Sequence, residues 1–131
     1  MAMTNGTQTI EVIPGRKVIL SSCNGRTNVD ELKWLCETIL KEASAWKDGW
    51  AYVADCSGMK PVTPAESKEL VVMTKAFVDA GCKAFGFAEG FSTMLKIQTK
   101  KNTEMSETGV MEGHFATREE ALDWLKNDLG L

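Results

Sequence analysis

The sequence has few of the residues on which common metal and catalytic sites depend. Its 131 residues include one histidine and four cysteines, and no two cysteines form a C-x-x-C pair. A zinc ribbon and a thioredoxin-type redox motif are therefore excluded, and no pair of histidines is available to bind a metal. No glycine-rich phosphate loop occurs either. We expect neither a metal nor a cofactor.

The chain also lacks a strong charge of either sign and any long apolar run. Its formal net charge is -3, with 44% hydrophobic and 25% charged residues, the composition of a folded globular domain. This charge gives no reason to expect a nucleic-acid or anionic-membrane partner. Residues 1–6 lack the basic and apolar parts of a signal peptide. We expect a cytoplasmic protein without a membrane span, a single domain over residues 1–131 in which residues 1–6 are a disordered tail.

Hydrophobic periodicity predicts an α/β fold that begins with a hairpin. Residues 8–13 and 17–21 read as two strands joined by a turn at Pro14 and Gly15. The rest alternates between helices at 28–46, 63–81, 91–101 and 117–129 and strands at 50–54, 83–87 and 110–115. Strands joined through helices pair in parallel, so the order predicts a mixed sheet of about five strands packed with about four helices.

Residues 55–62 connect a strand to a helix, at the end of the sheet where open α/β folds place ligands. Thr63 is predicted to cap this helix, with Pro64 at its first position and Glu66 completing a capping box. Asp55, Ser57, Gly58 and Thr63 are therefore candidates for a binding or docking site. The alternative is a purely structural role, because aspartate and serine also bond turn backbones and threonine also caps helices.

Four further residues are candidates of other kinds. Phe91 and Met94, on the third predicted helix, would line an apolar pocket or a partner groove, or else belong to the core. Cys56 lies near a helix N-terminus, which lowers a thiol pKa, but Val62 stands where a cysteine-based phosphate loop needs arginine, and we expect an unreactive thiol. His114 is expected to be a structural or surface histidine.

Three stretches resemble the STAS family of sulfate-transporter and anti-sigma-factor-antagonist domains and its relatives with a lipid pocket. They are VADCSGM at residues 53–59, GCKAFGF at 81–87, and TGV at 108–110 followed by HFATREEAL at 114–122. In antagonists of this family, a partner kinase phosphorylates a serine at the start of the second helix. Pro64 occupies that position here and has no hydroxyl, so this switch is not carried over, and Thr63 and Ser57 are only neighbouring hydroxyls.

We therefore predict a non-enzymatic, STAS-like regulatory or binding domain that acts by protein docking or by binding a small apolar ligand. The predicted functional surface combines two segments and consists of Asp55, Ser57, Gly58, Thr63, Phe91 and Met94. Two alternatives stay open at this point. One is a small enzyme that uses the Asp55–Cys56 loop, and the other is a homodimer formed through an exposed edge strand.

Overall fold

The structure is a computed structural model and describes residues 2–131. In chain order its elements are β1 (Ala2–Asn5), β2 (Gln8–Val12), β3 (Val18–Gly25), α1 (Val29–Ala43), β4 (Trp50–Met59), α2 (Pro64–Asp79), β5 (Cys82–Ala88), α3 (Thr93–Ser106), β6 (Met111–Phe115) and α4 (Arg118–Leu129). All the strands form one sheet in the order β1-β2-β3-β4-β5-β6. The first three are antiparallel and the pairs from β3 to β6 are parallel. The mixed α/β fold predicted from the sequence is confirmed.

The sheet contains one strand more than the sequence predicted. Residues 2–5, expected to be part of a disordered tail, form β1 and pair antiparallel with β2. The disordered tail is therefore wrong for these residues, and Met1 lies outside the described residues. Most side chains of β1 are exposed, and only Met3 packs partly against the core. Because an exposed edge strand needs no apolar alternation, hydrophobic periodicity could not detect it.

Helices cover both faces of the sheet. α1, α2 and α3 pack side by side on one face, over a core cluster that contains Ile19, Tyr52 and Phe85. α4 packs on the other face over a smaller cluster that contains Leu20 and Val53. This two-sided burial explains why the run from Val18 to Leu20 is apolar without alternation. Among residues 2–131, no helix has both the length and the apolar character needed to cross a membrane.

The segment predicted to be a loop is largely strand. β4 continues to Met59, so residues 55–59 remain in the sheet, and only residues 60–63 connect it to α2. This extension is possible because β3 also runs on to Gly25. After a register shift between Ser22 and Asn24, Gly58 and Met59 pair with the end of β3. Such irregularities depend on the neighbouring strand and leave no mark in the local pattern.

Candidate functional site

Asp55 lies on β4 and anchors the first part of the candidate surface. Its Oδ1 accepts hydrogen bonds from the backbone N–H of Ser57 at 3.0 Å and from the Ser57 hydroxyl at 2.6 Å. Its Oδ2 accepts a hydrogen bond from Nε of Arg118, at the start of α4, at 2.7 Å. A second carboxylate, that of Glu11, lies 3.6 Å from the same guanidinium. One oxygen of Asp55 therefore fixes the end of β4, and the other holds that strand to α4.

These contacts hold the pKa of Asp55 below its ordinary value. Partial burial of the carboxyl group would by itself raise the pKa, because desolvation disfavours the charge. The hydrogen bonds from Ser57 and the ion pair with Arg118 outweigh that effect. The side chain is therefore a structural carboxylate whose charge is already matched by neighbouring groups.

Replacing Asp55 by asparagine is expected to lower the free energy of unfolding at neutral pH by about 1.5–3 kcal/mol, the range for hydrogen bonds to charged groups. Because the folded pKa is depressed, this contribution is fully present above the unfolded pKa, about 3.9 for aspartate, and is lost as the pH falls through the folded value. Urea unfolding of wild type and Asp55→Asn should therefore give stabilities that converge in acid. Asp48→Asn, at an exposed ion pair, is the control and should change little. A gap that persists unchanged in acid would contradict this assignment.

Ser57, Gly58 and Thr63 are all exposed, but the two hydroxyls already have carboxylate partners. Ser57 donates to Asp55. Thr63 donates to a side-chain oxygen of Glu66 at 2.6 Å, and the side chain of Glu66 accepts from the backbone N–H of Thr63 at 3.2 Å. The predicted capping box is thus present. Ser57 and Thr63 therefore have structural roles in the turn and the helix cap, and their exposed surfaces can still contact a partner.

The structure brings the two predicted segments together at one end of the sheet. The side chain of Gln98, on α3, makes two hydrogen bonds of 3.1 Å with the backbone N–H and carbonyl of Val62, just before α2. On the other side, Gly90 passes so close to Ser57 that a methyl group at Gly90 would lie 3.6 Å from the Ser57 Cβ. Residues 55–63 and the beginning of α3 therefore form a continuous surface.

The outer side of α3 carries apolar side chains instead of burying them. Phe91 is 99% exposed, just before the N-cap Ser92. Met94, Ile97 and Met105 are more than half exposed. Met94, Ile97 and Met105 are three and eight residues apart, a spacing that keeps them on one side of the helix. Phe91 directly precedes the N-cap of the same helix. We call Phe91, Met94, Ile97 and Met105 the α3 patch. The interpretation of Phe91 and Met94 as core residues is wrong.

The buried side of α3 is polar, with Leu95 as its main apolar contact. Thr99, Asn102, Thr103 and Ser106 are buried there. Thr103 and Ser106 donate their hydroxyls to backbone carbonyls of the preceding turn, so their burial leaves no hydroxyl unpaired. Because of this inverted distribution, α3 has no apolar stripe on its buried side.

A cavity of about 60 Å³ lies between the helices and the sheet. Its mostly apolar wall includes Tyr52, Cys56, Met73 and Phe87. An apolar cavity of about 150 Å³ is known to admit benzene, so this one is too small for an apolar ligand unless the helices move apart. Burial raises the pKa of the Cys56 thiol, and the carboxylate of Glu89 raises it further. Cys56 is thus held as a thiol rather than a reactive thiolate.

A buried ionic cluster was not identified from the sequence. Nδ1 of His114 lies 2.9 Å from Oε2 of Glu89, and Nε2 lies 3.1 Å from Oε2 of Glu112. Thr99, on α3, donates its hydroxyl to Glu89. The side chains of His114 and Glu89 are only 9% and 3% exposed. Each ring nitrogen thus faces a carboxylate, and Glu89 links His114 on the edge strand β6 to Thr99 on α3.

This cluster lacks two features that would make it a catalytic or metal centre. Both nitrogens of His114 face carboxylates, so neither is paired with the hydroxyl or thiol of a nucleophile. Within the described part of the chain, no group of histidine, cysteine or carboxylate side chains is arranged to hold a metal ion. An open polar depression of about 340 Å³, lined in part by Lys96 and Glu120, lies next to it. The expectation of a structural histidine fits this position.

Comparisons with known proteins identify the fold. No family model and no curated protein matches the chain. An uncharacterised protein of the DUF3478 family from Shewanella loihica PV-4, described as having a SpoIIAA-like fold, superposes with a TM-score of 0.67 at 13% identity, over 94% of this chain and 98% of that one. An anti-sigma factor antagonist from Mycobacterium paratuberculosis gives a TM-score of 0.57 at 18% identity, over 92% and 94% of the two chains. The resemblance to STAS-like domains is therefore confirmed for the fold, which is that of SpoIIAA-like proteins.

Proposed function

We propose that the chain is a non-enzymatic regulatory domain that acts by docking to a protein partner. The docking surface consists of the α3 patch and the adjoining residues 55–63. The observation that carries the proposal is the exposure of the α3 patch, headed by Phe91 at 99%. A compact run of exposed large apolar side chains beside polar groups is typical of a protein-interaction site. Aromatic residues and methionine are also the types enriched in such interfaces.

The small-ligand alternative has less support. The internal cavity of about 60 Å³ is smaller than sites that take even a small aromatic molecule. The exposed apolar side chains of α3 point away from that cavity, since the buried side of the helix is the polar one. The outer surface of a helix is convex. It therefore suits another protein better than a small molecule, which needs a concave site.

The enzyme alternative also has less support. Cys56 is buried, and its pKa is raised, so it lacks the thiolate character of a nucleophile. Both oxygens of Asp55 are engaged by Ser57 and Arg118. His114 has no nucleophile at either nitrogen. A regulatory role agrees with the similar structure of an anti-sigma factor antagonist, although that likeness concerns the fold.

A matched pair of methionine substitutions tests the proposal. Met94 on the α3 patch is 57% exposed, and Met111, at the opposite end of the sheet on β6, is 49% exposed. We expect Met94→Glu to lower the recovery of cross-linked or co-purified partner proteins at least about tenfold, because a charge replaces an apolar contact near the centre of the interface. Met111→Glu should leave recovery unchanged. Quantitative mass spectrometry of tagged full-length chains measures both.

The result that would contradict the proposal is equal recovery by Met94→Glu and wild type. Circular dichroism and urea unfolding of the two variants exclude loss of fold as the cause of any difference. Since both methionines are about half exposed, we expect neither substitution to change stability by more than about 0.5 kcal/mol.

The homodimer stays an alternative use of the same fold. β1 and β6 each pair with only one neighbouring strand and so form the two edges of the sheet. An exposed edge presents backbone donors and acceptors to which another strand can pair. Light scattering of the purified chain distinguishes a monomer from a homodimer. A measured mass of one chain means that the edge strands are unpaired, and a mass of two chains favours the homodimer.

A further inference from the structure

The α3 patch lies on the most basic helix of the molecule. α3 carries Lys96, Lys100 and Lys101 against one carboxylate, Glu104. In α1, α2 and α4, acidic side chains outnumber basic ones. The local charge of α3 is therefore opposite in sign to the net charge of -3 of the whole chain.

The lysines of α3 make no ion pair with the described residues. Among residues 2–131, the ion pairs are made by Lys17, Arg118 and His114. Lys96, Lys100 and Lys101 are all exposed. By helical spacing, Lys101 lies between Ile97 and Met105 on the patch, and Lys100 lies at its border. The patch thus offers apolar contacts and a net positive charge at the same place.

Two other occupants of the patch fit this charge distribution less well. A second copy that presented its own α3 would bring like charges together, and its acidic helices lack a comparable cluster of exposed large apolar side chains. An anionic membrane would have to approach Glu104 and Glu107, which lie at the end of the same helix, as well as a chain of negative net charge. A protein segment can instead place single carboxylates at Lys100 and Lys101 and a neutral side chain at Glu104, their neighbour on the helix.

We infer that the partner binds the α3 patch through an acidic amphipathic segment, whose apolar side chains pack on Met94, Ile97 and Met105 while its carboxylates face Lys100 and Lys101. This inference rests on the proposed docking function and specifies the chemistry of the partner. Charge complementarity of this kind raises the association rate and orients the partner, and it weakens as salt is added.

Three designed peptides test the inference directly. Each is an amphipathic helix of about 18 residues with the same leucine stripe, flanked by glutamate, glutamine or lysine. We expect the glutamate peptide to bind the full-length chain at least about tenfold more tightly than the lysine peptide at low ionic strength, with the difference shrinking at high salt. Fluorescence anisotropy measures the three dissociation constants.

Charge-reversed variants locate the effect. The double variant Lys100→Glu with Lys101→Glu should remove the preference for the glutamate peptide. The control, Lys33→Glu with Lys47→Glu, makes the same change in net charge at exposed positions away from α3 and should keep the preference. Equal binding of the three peptides, no binding of any of them, or an equal effect of the two double variants would overturn the inference.

Two further measurements distinguish an acidic protein partner from a lipid surface and from a protein partner that is not acidic. The first is binding of the chain to phosphatidylserine vesicles. If the chain binds them and the double variant Lys100→Glu with Lys101→Glu does not, the patch is assigned to a lipid surface and the inference is overturned. In the partner-recovery experiment, loss with Met94→Glu but not with the α3 charge reversal would leave protein docking supported and overturn the acidic partner. Equal recovery by all these variants would overturn both proposals.

Discussion

Replacing His114 by alanine is expected to destabilise the fold by about 3–5 kcal/mol, because its two ring nitrogens lose their hydrogen bonds to carboxylates, each worth roughly 1.5–3 kcal/mol. The ring lies between the carboxylates of Glu89 and Glu112, at 2.9 Å and 3.1 Å. Without it, the buried carboxylate of Glu89 keeps only the hydroxyl of Thr99 as a strong donor. The carboxylates of Glu89 and Glu112 then face a poorly solvated cavity without a hydrogen-bond donor between them. β6 also loses the hydrogen bonds that link it through Glu89 to α3. Urea unfolding followed by tryptophan fluorescence measures the loss.

Two other substitutions show whether the effect comes from buried charge. Glu112→Gln removes the more exposed carboxylate, whose side chain is 26% accessible, and should cost only about 1 kcal/mol, as an ordinary hydrogen bond does. Glu89→Gln removes the carboxylate that is 3% exposed and should cost more than Glu112→Gln. If His114→Ala is no more harmful than Glu112→Gln, the cluster does not stabilise the edge of the sheet.

Sequence reasoning could not assemble this cluster because its members come from separate parts of the chain. Glu112 and His114 are two residues apart on a strand, so alternation places them on one face. That signal was available, but the strand is short and interrupted by Gly113. Glu89 reaches the same face only because β5 pairs with β6 in one particular register. Register between strands joined by a helix is not encoded in the local pattern.

Helix starts, by contrast, were predictable because they depend on neighbouring residues. Asn28, Thr63 and Thr117 each accept a hydrogen bond from the backbone N–H three positions further on, as the sequence indicates. The capping box at Thr63 is complete in both directions. Local hydrogen bonds of this kind need no knowledge of the sheet, and the one at Thr63 marks the helix N-terminus that borders the candidate surface.

The candidate surface itself was only half predictable. Residues 55–63 and the segment around Phe91 were both chosen from the sequence, and the structure places them side by side. Which side of α3 faces solvent was not predictable, because helical periodicity marks an apolar stripe as buried. Here the polar side is buried instead. Thr99 donates its hydroxyl to the Glu89 carboxylate, and Thr103 and Ser106 donate theirs to backbone carbonyls of the helix. The exposure of the apolar stripe is therefore determined by tertiary contacts and not by the local sequence pattern.

Phe77→Ala is expected to be the other strongly destabilising substitution, with a cost of about 3–5 kcal/mol for removing a fully buried aromatic ring. Phe77 is fully buried on the inner side of α2. Its ring makes edge contacts with Trp50 at 5.4 Å and with Tyr52 at 5.1 Å between ring centres, and a tilted contact with Phe85 at 6.0 Å. The substitution leaves a cavity among these rings and loosens α2 from the sheet. Urea unfolding followed by circular dichroism gives the change in the free energy of unfolding.

Phe91→Ala is the matched control, because it removes the same side chain from the α3 patch. Phe91 is 99% exposed, so its removal should change stability by less than about 0.5 kcal/mol. If the α3 patch is a docking surface, the same variant should nevertheless lower partner recovery, since an exposed aromatic ring that becomes buried in an interface contributes strongly to binding. The two phenylalanines would then separate folding from docking. A Phe91→Ala variant that loses stability as Phe77→Ala does would show that the ring packs within the fold, and the docking surface would lose its main support.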